Sequence, residues 1–370
     1  MSNKSGRKHE PLIHITKRAS MVWYKAWIVR AVAIVAALLV SAVVITLLTK
    51  DNPVEVYAAM FKGSFGTERK VWVMLKELVV LLCVSLAVTP AFKMRFWNIG
   101  AEGQVLMGAL GAAACMFYID DKIPNVALIA VMLVVSILLG MIWGMIPAFF
   151  KAIWNTNETL FTLMMNYVAM QLISFFIMIW VPNGSSVMGT INSATESGWL
   201  PSLFGQKYLF SILIVAVTTV ALFIYLKYSK QGYEISVVGE SENTARYVGI
   251  NVKKVIIRTM AISGGICGLA GFLLVSGINH TVSPNLAGGV GFTAIMVSWL
   301  AKFNPIVMIL TSFLIVFLQI GAGEIATTFR LNESVADIVT GIILFFIIGC
   351  EFFVQYKINF RSKHKEEGHA

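Results

Sequence analysis

Charge is scarce in these 370 residues. Asp, Glu, Lys and Arg make up 13% and hydrophobic residues 58%, against about 25% and 45–50% in soluble domains. That balance excludes a pair of soluble domains. Cysteine is scarce too. Cys83, Cys115, Cys267 and Cys350 are the full set of 4, each in or beside an apolar stretch, and no CxxC occurs. This argues against a disulfide framework and a zinc site, and leaves four small hydrophobes. The 5 His residues fall mostly in the tails, with His280 in an outer loop. No paired carboxylates, His clusters or nucleophile triads stand at usable spacing, so the chain is expected not to be an enzyme. No GxxxxGKS/T phosphate loop occurs, which excludes ATP hydrolysis through that device. The net charge of +10 does not indicate nucleic acid, because the basic residues sit in short loops with no aromatic interleaving.

What is present is apolar sequence in runs of about 20 residues, the length that crosses a bilayer. Ten spans are expected, at about 27–48, 71–92, 102–118, 125–147, 159–181, 208–226, 255–277, 291–303, 305–321 and 335–354. The third and eighth are short for a hydrocarbon core of roughly 30 Å. The first run is too long for a signal peptide and lacks a small-residue cleavage site, so it is expected to remain as a span. Orientation follows from the basic residues. With both termini cytoplasmic, Lys17, Arg18, Lys93, Arg95, Lys230, Lys253, Lys254, Arg361 and Lys363 all fall inside, as the positive-inside rule requires. Residues 1–26 and 355–370 are then cytoplasmic tails flanking a transmembrane domain at 27–354.

Two loops are long. Residues 182–207, outside, hold PNGSS and the polar NSATES and are expected to form an extracytoplasmic cap. Residues 227–254, inside, read as helix-forming stretches broken by Gly232, Gly239 and Gly249. Within them SENTARY, 241–247, is expected to form one short helix with Ser241 as N-cap and Glu242 in its first turn. A solvated linker has no use for that order, whereas a docking helix does.

The nonapeptide FWNIGAEGQ, 96–104, interrupts this apolar chain with Asn98, Glu102 and Gln104 between Gly100 and Gly103. Polar groups at membrane depth are expensive and sit where protein or water surrounds them. An internal repeat gives the break a counterpart. Asn98 follows the second span as Asn285, trailed by Gly288 and Gly289, follows the seventh. Asn157-Glu158 starts the fifth span as Asn332-Glu333 starts the tenth. The anchors recur in order, and the topology puts the first break at the cytoplasmic face and the second at the outer face. The expected fold is therefore an all-α polytopic membrane protein of two inverted five-helix halves, with a pathway between them. Asn98, Glu102, Gln104, Asn157, Glu158, Asn285, Gly289, Asn332 and Glu333 are its candidate lining.

Plainer readings stand beside these. Asn98 could simply cap the third span while Glu102 benefits from the positive helix end. Asn166, in the middle of the fifth span, needs a partner that is either another helix or a passing substrate. Met164, Met165, Met170 and Met178 of that span are read as helix packing rather than the lining for a planar ligand. Gly264, Gly268 and Gly271 read as a close-packing face. ISGGI, 262–266, lies within a span and is not an ATPase signature. Gly289-Val-Gly291-Phe-Thr-Ala294 is a glycine-rich helix start, since no strand precedes it as a dinucleotide site needs.

WNIGAEGQVLMGALGAA, NETLFTLMMNYVA, and VVGESENTARYVGINVKK followed by ISGGICGLAGFLLVSG together resemble the permease subunits of ABC importers of nucleosides, those fed by basic-membrane-lipoprotein-type receptors, and of simple sugars. The resemblance covers roughly residues 50–350 and departs at VSWLAKFNP, 297–305, where the family has an Ala-Leu-Leu-Gly run before Asn-Pro. It implies a ten-helix permease in the bacterial cytoplasmic membrane, in contact with lipid and paired with a second, related permease. It also implies a cytoplasmic ATPase that carries ATP and Mg, none being bound by this chain, and a lipid-anchored extracytoplasmic substrate-binding protein. Gly239, Glu240, Ala245, Arg246, Tyr247 and Gly249 match the positions of ATPase contact. The alternative is a secondary transporter of a small polar solute driven by an ion gradient. That needs intramembrane carboxylates, and the nearest, Glu77, Glu102 and Glu324, lie toward span ends. A channel is disfavoured because no ring-forming pore motif is visible.

Overall fold

A computed structural model of the chain describes residues 13–17, 22–49, 52–120, 122–181 and 188–360. PNGSS, Arg18, Arg361 and Lys363 lie outside them. In chain order the elements are β1 (Ile13–Lys17), α1 (Trp23–Thr49), α2 (Pro53–Phe65), α3 (Glu68–Lys93), α4 (Ala101–Ile119), α5 (Asn125–Trp154), α6 (Glu158–Trp180) and α7 (Leu209–Tyr228). There follow α8 (Lys230–Glu240), α9 (Glu242–Tyr247), α10 (Val252–Phe272) running into a π-helical segment (Leu273–Asn279), α11 (Val290–Leu300), α12 (Pro305–Thr328), α13 (Glu333–Gln355) and β2 (Tyr356–Phe360).

Among the described residues seven helices are long and apolar enough to cross a membrane, namely α3 to α7, α10 with its π segment, and α12. Shorter apolar stretches lie in α1, α11 and α13, where three further spans are expected. The expectation of an all-α chain holds with one exception. β1 and β2 form an antiparallel ribbon with Ile13 opposite Phe360 and Lys17 opposite Tyr356. Such short pairs are hard to read in advance, because the partners lie at opposite ends of the sequence.

The chain forms two compact units. One comprises the described residues up to Gly63 with those from Leu318 onward. In it α1 packs along α13, and Gly321 and Gly63 let α12 approach α2 at Met60 and Glu324. The other unit, Ser64–Phe317, is built on α4, α5 and α10. A side chain on Gly268 would overlap the Ser136 carbonyl, one on Gly264 the Gly140 carbonyl, and one on Gly271 the Val105 carbonyl. The three helices thus touch backbone to backbone, which only the small-residue face of α10 allows. The four cysteines are buried and free, as expected of small hydrophobes.

Several local expectations need correction. Gly232 and Gly239 do not break the 227–254 loop. Both lie inside α8, buried, because each packs against backbone, of Tyr225 and Leu226 in one case and of Lys93 and Met94 in the other. Only Gly249 is a breaker, at φ +81°. It ends α9 with paired bonds from Ile250 N–H to Ala245 O and from Gly249 N–H to Arg246 O, the Schellman arrangement. Ser241 caps α9 as expected, its hydroxyl accepting the Thr244 amide at 3.2 Å. At the other end of this unit, residues 188–208 form an ordered cap. Its Ile191 and Leu200 amides bond to His280 O and Ser276 O, and Asn125 Oδ1 accepts the Gly198 amide at 2.8 Å. His280 stacks on Trp199 with ring centroids 3.8 Å apart, and burial pushes its imidazole below its ordinary value.

Candidate functional site

The break begins where α3 ends. Arg95 adopts φ 61°, and bonds from Phe96 N–H to Ala91 O and from Arg95 N–H to Phe92 O close the helix end. The next five residues run without regular structure before α4 starts at Ala101. A helix start leaves its first amides without intrahelical partners, and at membrane depth water cannot supply them. The polar residues of the region do so instead.

Asn166 of α6 is the main donor and acceptor. Its Oδ1 accepts the Gly103 amide at 2.8 Å and its Nδ2 donates to Ile99 O at 2.9 Å. One turn earlier, Thr162 Oγ1 accepts the Ile99 amide at 3.1 Å. Asn98 Oδ1 accepts the Gly100 amide at 3.1 Å and Gln104 Nε2 at 3.2 Å, while Asn98 Nδ2 lies 3.4 Å from Ser263 Oγ of α10. Asn98 is therefore not the N-cap. Gly100 holds that position without a side-chain cap, and the cap is supplied across the fold by Asn166. Of the two readings of Asn166, the structure supports the helix partner. Gly100 and Gly103 permit this contact, since a Cβ on either would lie 2.9 Å from a polar atom of α6.

Glu102 departs most from expectation. It is 4% exposed, and its Oε1 accepts the Gly289 amide at 2.8 Å. Gly289, at φ 78°, is the N-cap of α11, and Gly291 packs on Glu102 so closely that a Cβ would lie 2.8 Å from its amide. The expectation that the two breaks stand at opposite membrane faces is therefore wrong at these residues. Groups in hydrogen-bond contact cannot be separated by roughly 30 Å of hydrocarbon. The physical reason lies in the segment after His280. The chain returns from the cap into the bundle before α11 begins, and α11, with 11 residues, spans only about 16 Å. Its far end is held as well. Trp299 stacks on Trp97 at 5.8 Å and 27°, and Ser298 and Thr89 hydroxyls lie 2.9 Å apart. FWNIGAEGQ thus grips a half-length helix at both ends.

The remaining candidates are spread more widely. Asn157 caps α6, accepting the Leu160 amide at 3.2 Å, and edges a groove of about 400 Å³ with Leu160, Phe161, Met164, Met165 and Val168. Met164 and Met178 are exposed at 55% and 62%, so within this chain these two are not covered by a neighbouring helix. Glu158 pairs with Lys151 at 2.9 Å, tying the end of α5 to the start of α6. Asn285 is exposed, and its carbonyl accepts the Gly288 amide. Asn332 caps α13, accepting the Ser334 amide at 3.2 Å. The Glu333 side chain lies outside the described residues. Thr162, Ser263, Trp97 and Trp299 went unnoticed in the sequence. Thr162 was detectable, standing one turn from Asn166 on the same face.

In the 227–254 loop the six candidates divide. Ala245 and Gly239 are buried, whereas Glu240, Arg246, Tyr247 and Gly249 are exposed. Arg246 pairs with Glu242 at 3.3 Å, and Arg258 with Glu234 at 2.9 Å holds α8 to α10. Gly239 rests on Lys93 and Met94, the residues that lead into the break.

Comparison with known proteins agrees with this architecture. A family model described as the branched-chain amino acid transport system permease component matches residues 73–348. A glucose ABC transporter permease of Haloferax volcanii is 26% identical over 357 residues, covering 94% of this chain and 93% of its own. A guanosine ABC transporter permease of Bacillus subtilis is 28% identical over 317 residues, 84% of this chain and 89% of its own; a second guanosine permease of that bacterium also matches. A nucleoside ABC transporter permease of Lactococcus lactis is 27% identical over 330 residues, 86% of this chain and 90% of its own. The chain is a multi-pass membrane protein and belongs to this permease family, as the transmembrane subunit of an ABC importer.

Proposed function

We propose that the chain moves a polyhydroxylated solute, a nucleoside or a simple sugar, inward across the bacterial cytoplasmic membrane. Guanosine and glucose, named for two of its relatives, both carry vicinal hydroxyls. In this reading the chain pairs with a second, non-identical permease, as the two guanosine permeases of one bacterium suggest. A lipid-anchored extracytoplasmic binding protein delivers the cargo. A cytoplasmic ATPase binds ATP and Mg and docks on residues 227–254, and this chain binds neither. Both termini then lie in the cytoplasm. The pairing of β1 with β2 supports placing the two ends on one side. Asn98, Glu102, Gln104 and Gly289 would form the polar wall of the route, held from behind by Asn166, with Asn157, Glu158 and Asn285 toward its margins.

The observation that carries this reading is α9. It is capped at both ends, exposes Arg246 and Tyr247, the latter at 92%, and follows α8, whose last residue Glu240 is exposed and whose Gly239 packs on the end of α3. An exposed tyrosine and arginine on an ordered short helix are the kind of groups that anchor an interface. The Arg246→Glu variant is expected to lower ATP-driven uptake at least tenfold and to reduce co-purification of the ATPase, while membrane expression stays near wild type. Folding should tolerate the change, because the exposed pair with Glu242 contributes only about 0.3–0.5 kcal/mol. Unchanged uptake would remove the docking surface from the account.

A further inference from the structure

Glu102 has one oxygen that the fold uses and one that it does not. Oε1 holds the Gly289 amide. Oε2 is buried, and among the described residues no group donates to it. A buried carboxylate loses hydration worth several kcal/mol unless hydrogen bonds replace it, so an unmatched oxygen calls for an explanation. Anchoring α11 does not provide one. A glutamine carbonyl would accept the Gly289 amide equally well, and the neighbouring tasks of the break are done by the neutral Asn98, Gln104, Thr162 and Asn166. A carboxylate differs from an amide in being a stronger acceptor with nothing to donate. It suits a donor that arrives from outside the fold.

We propose that Glu102 Oε2 receives a hydroxyl of the cargo, making Glu102 a specificity-determining residue of the pathway. The inference rests on the polyhydroxylated cargo of the preceding section. A single charged acceptor matches what a route needs, enough attraction to admit a solute and too little to trap it. A cargo hydroxyl on Oε2 leaves Oε1 with the Gly289 amide, so the start of α11 stays anchored while the cargo is held. In the present conformation Oε2 is closed off, so the hydroxyl reaches it only once the break has opened.

The test uses the complete importer, with its ATPase, partner permease and binding protein, in proteoliposomes. Maximal uptake of guanosine and of 2′,3′-dideoxyguanosine is compared, each supplied well above its affinity for the binding protein, so that receptor preference is saturated out. Wild type should favour guanosine. Glu102→Gln should reduce that preference roughly tenfold, the difference between a charged and a neutral acceptor. Amide exchange at Gly289 should stay as in wild type, because the glutamine carbonyl still holds it. Equal loss of both uptakes at constant preference would mean a purely structural role and overturn the proposal. So would a preference that disappears only when an ion gradient is collapsed, which would assign the oxygen to a cation. Failure of wild type to carry either guanosine or glucose would overturn the proposed cargo itself, and this inference with it. Guanosine uptake with an unaltered preference in Glu102→Gln would overturn the inference alone.

Discussion

Gly268→Leu is expected to leave no folded protein. The α-carbon of Gly268 sits where three helices meet backbone to backbone. A Cβ there would overlap Ser136 O of α5. On the α4 side a Cβ on Gly108 would lie 2.5 Å from the Gly268 α-carbon. Overpacking a core that can shift its side chains costs about 1–3 kcal/mol. Here the obstacles are main-chain atoms of helices locked by their own hydrogen bonds, so α5 or α4 must move as a body and the Gly264 and Gly271 contacts open with it. The expected loss exceeds about 5 kcal/mol, beyond the 4–5 kcal/mol at which single substitutions become exceptional. Gly323→Leu is the control, since nothing lies within 4 Å of a Cβ at that position of α12 and leucine favours a helix over glycine by roughly 0.8 kcal/mol. Size-exclusion chromatography in detergent should show a single sharp peak for Gly323→Leu and only aggregate for Gly268→Leu. A monodisperse Gly268→Leu with unchanged thermal midpoint would contradict the packing described for α4, α5 and α10.

Asn166→Leu carries the second largest expected effect. Leucine keeps the branched four-atom skeleton but withdraws the acceptor of the Gly103 amide and the donor to Ile99 O. Each buried backbone group left unpaired costs about 1–3 kcal/mol, so the variant should lose roughly 2–6 kcal/mol. The damage should be local. Gly103, Ile99 and the first turn of α4 should exchange their amides faster by at least tenfold, while α5 and α10 keep their protection. Gln104→Leu should cost less, because its bonds to Asn98 are longer, at 3.2 and 3.4 Å, and join side chain to side chain. Equal protection of Gly103 in wild type and Asn166→Leu would show that Asn166 does not cap α4.

How much of this was legible beforehand depended on range. The spans were readable because hydrophobic length is a local property, and so was the cap at Ser241, where the side chain bonds an amide three residues on. The small-residue face of α10 was readable from its spacing alone. Contacts that cross the sequence were not. Glu102 meets a glycine 187 positions away, and nothing near either residue announces the other. The repeat reasoning placed the two breaks by topological order and so set them on opposite faces, missing that the chain re-enters the bundle between His280 and Gly289. Gly232 and Gly239 were read as breakers because glycine in a polar loop usually is one. Their actual task, clearing space for Leu226 and for Lys93, is visible only in three dimensions. At Arg95, Lys302 and Phe303 the chain takes positive φ without glycine, a choice dictated by helix ends and tertiary packing rather than by residue type. VSWLAKFNP thus ends α11 in an aromatic cluster, with Phe303 edge-on to Trp299.

In the proposed division of labour this chain is the passage and another chain supplies the energy. The most direct test is uptake of labelled guanosine by cells or vesicles in which ion gradients are collapsed by an uncoupler while ATP is held constant. Uptake should continue at its original rate, and depleting ATP with the gradients intact should stop it. Uptake that ceases with the gradients and survives ATP depletion would contradict the account, and would make the buried carboxylate of Glu102 the ion-binding group of a secondary transporter.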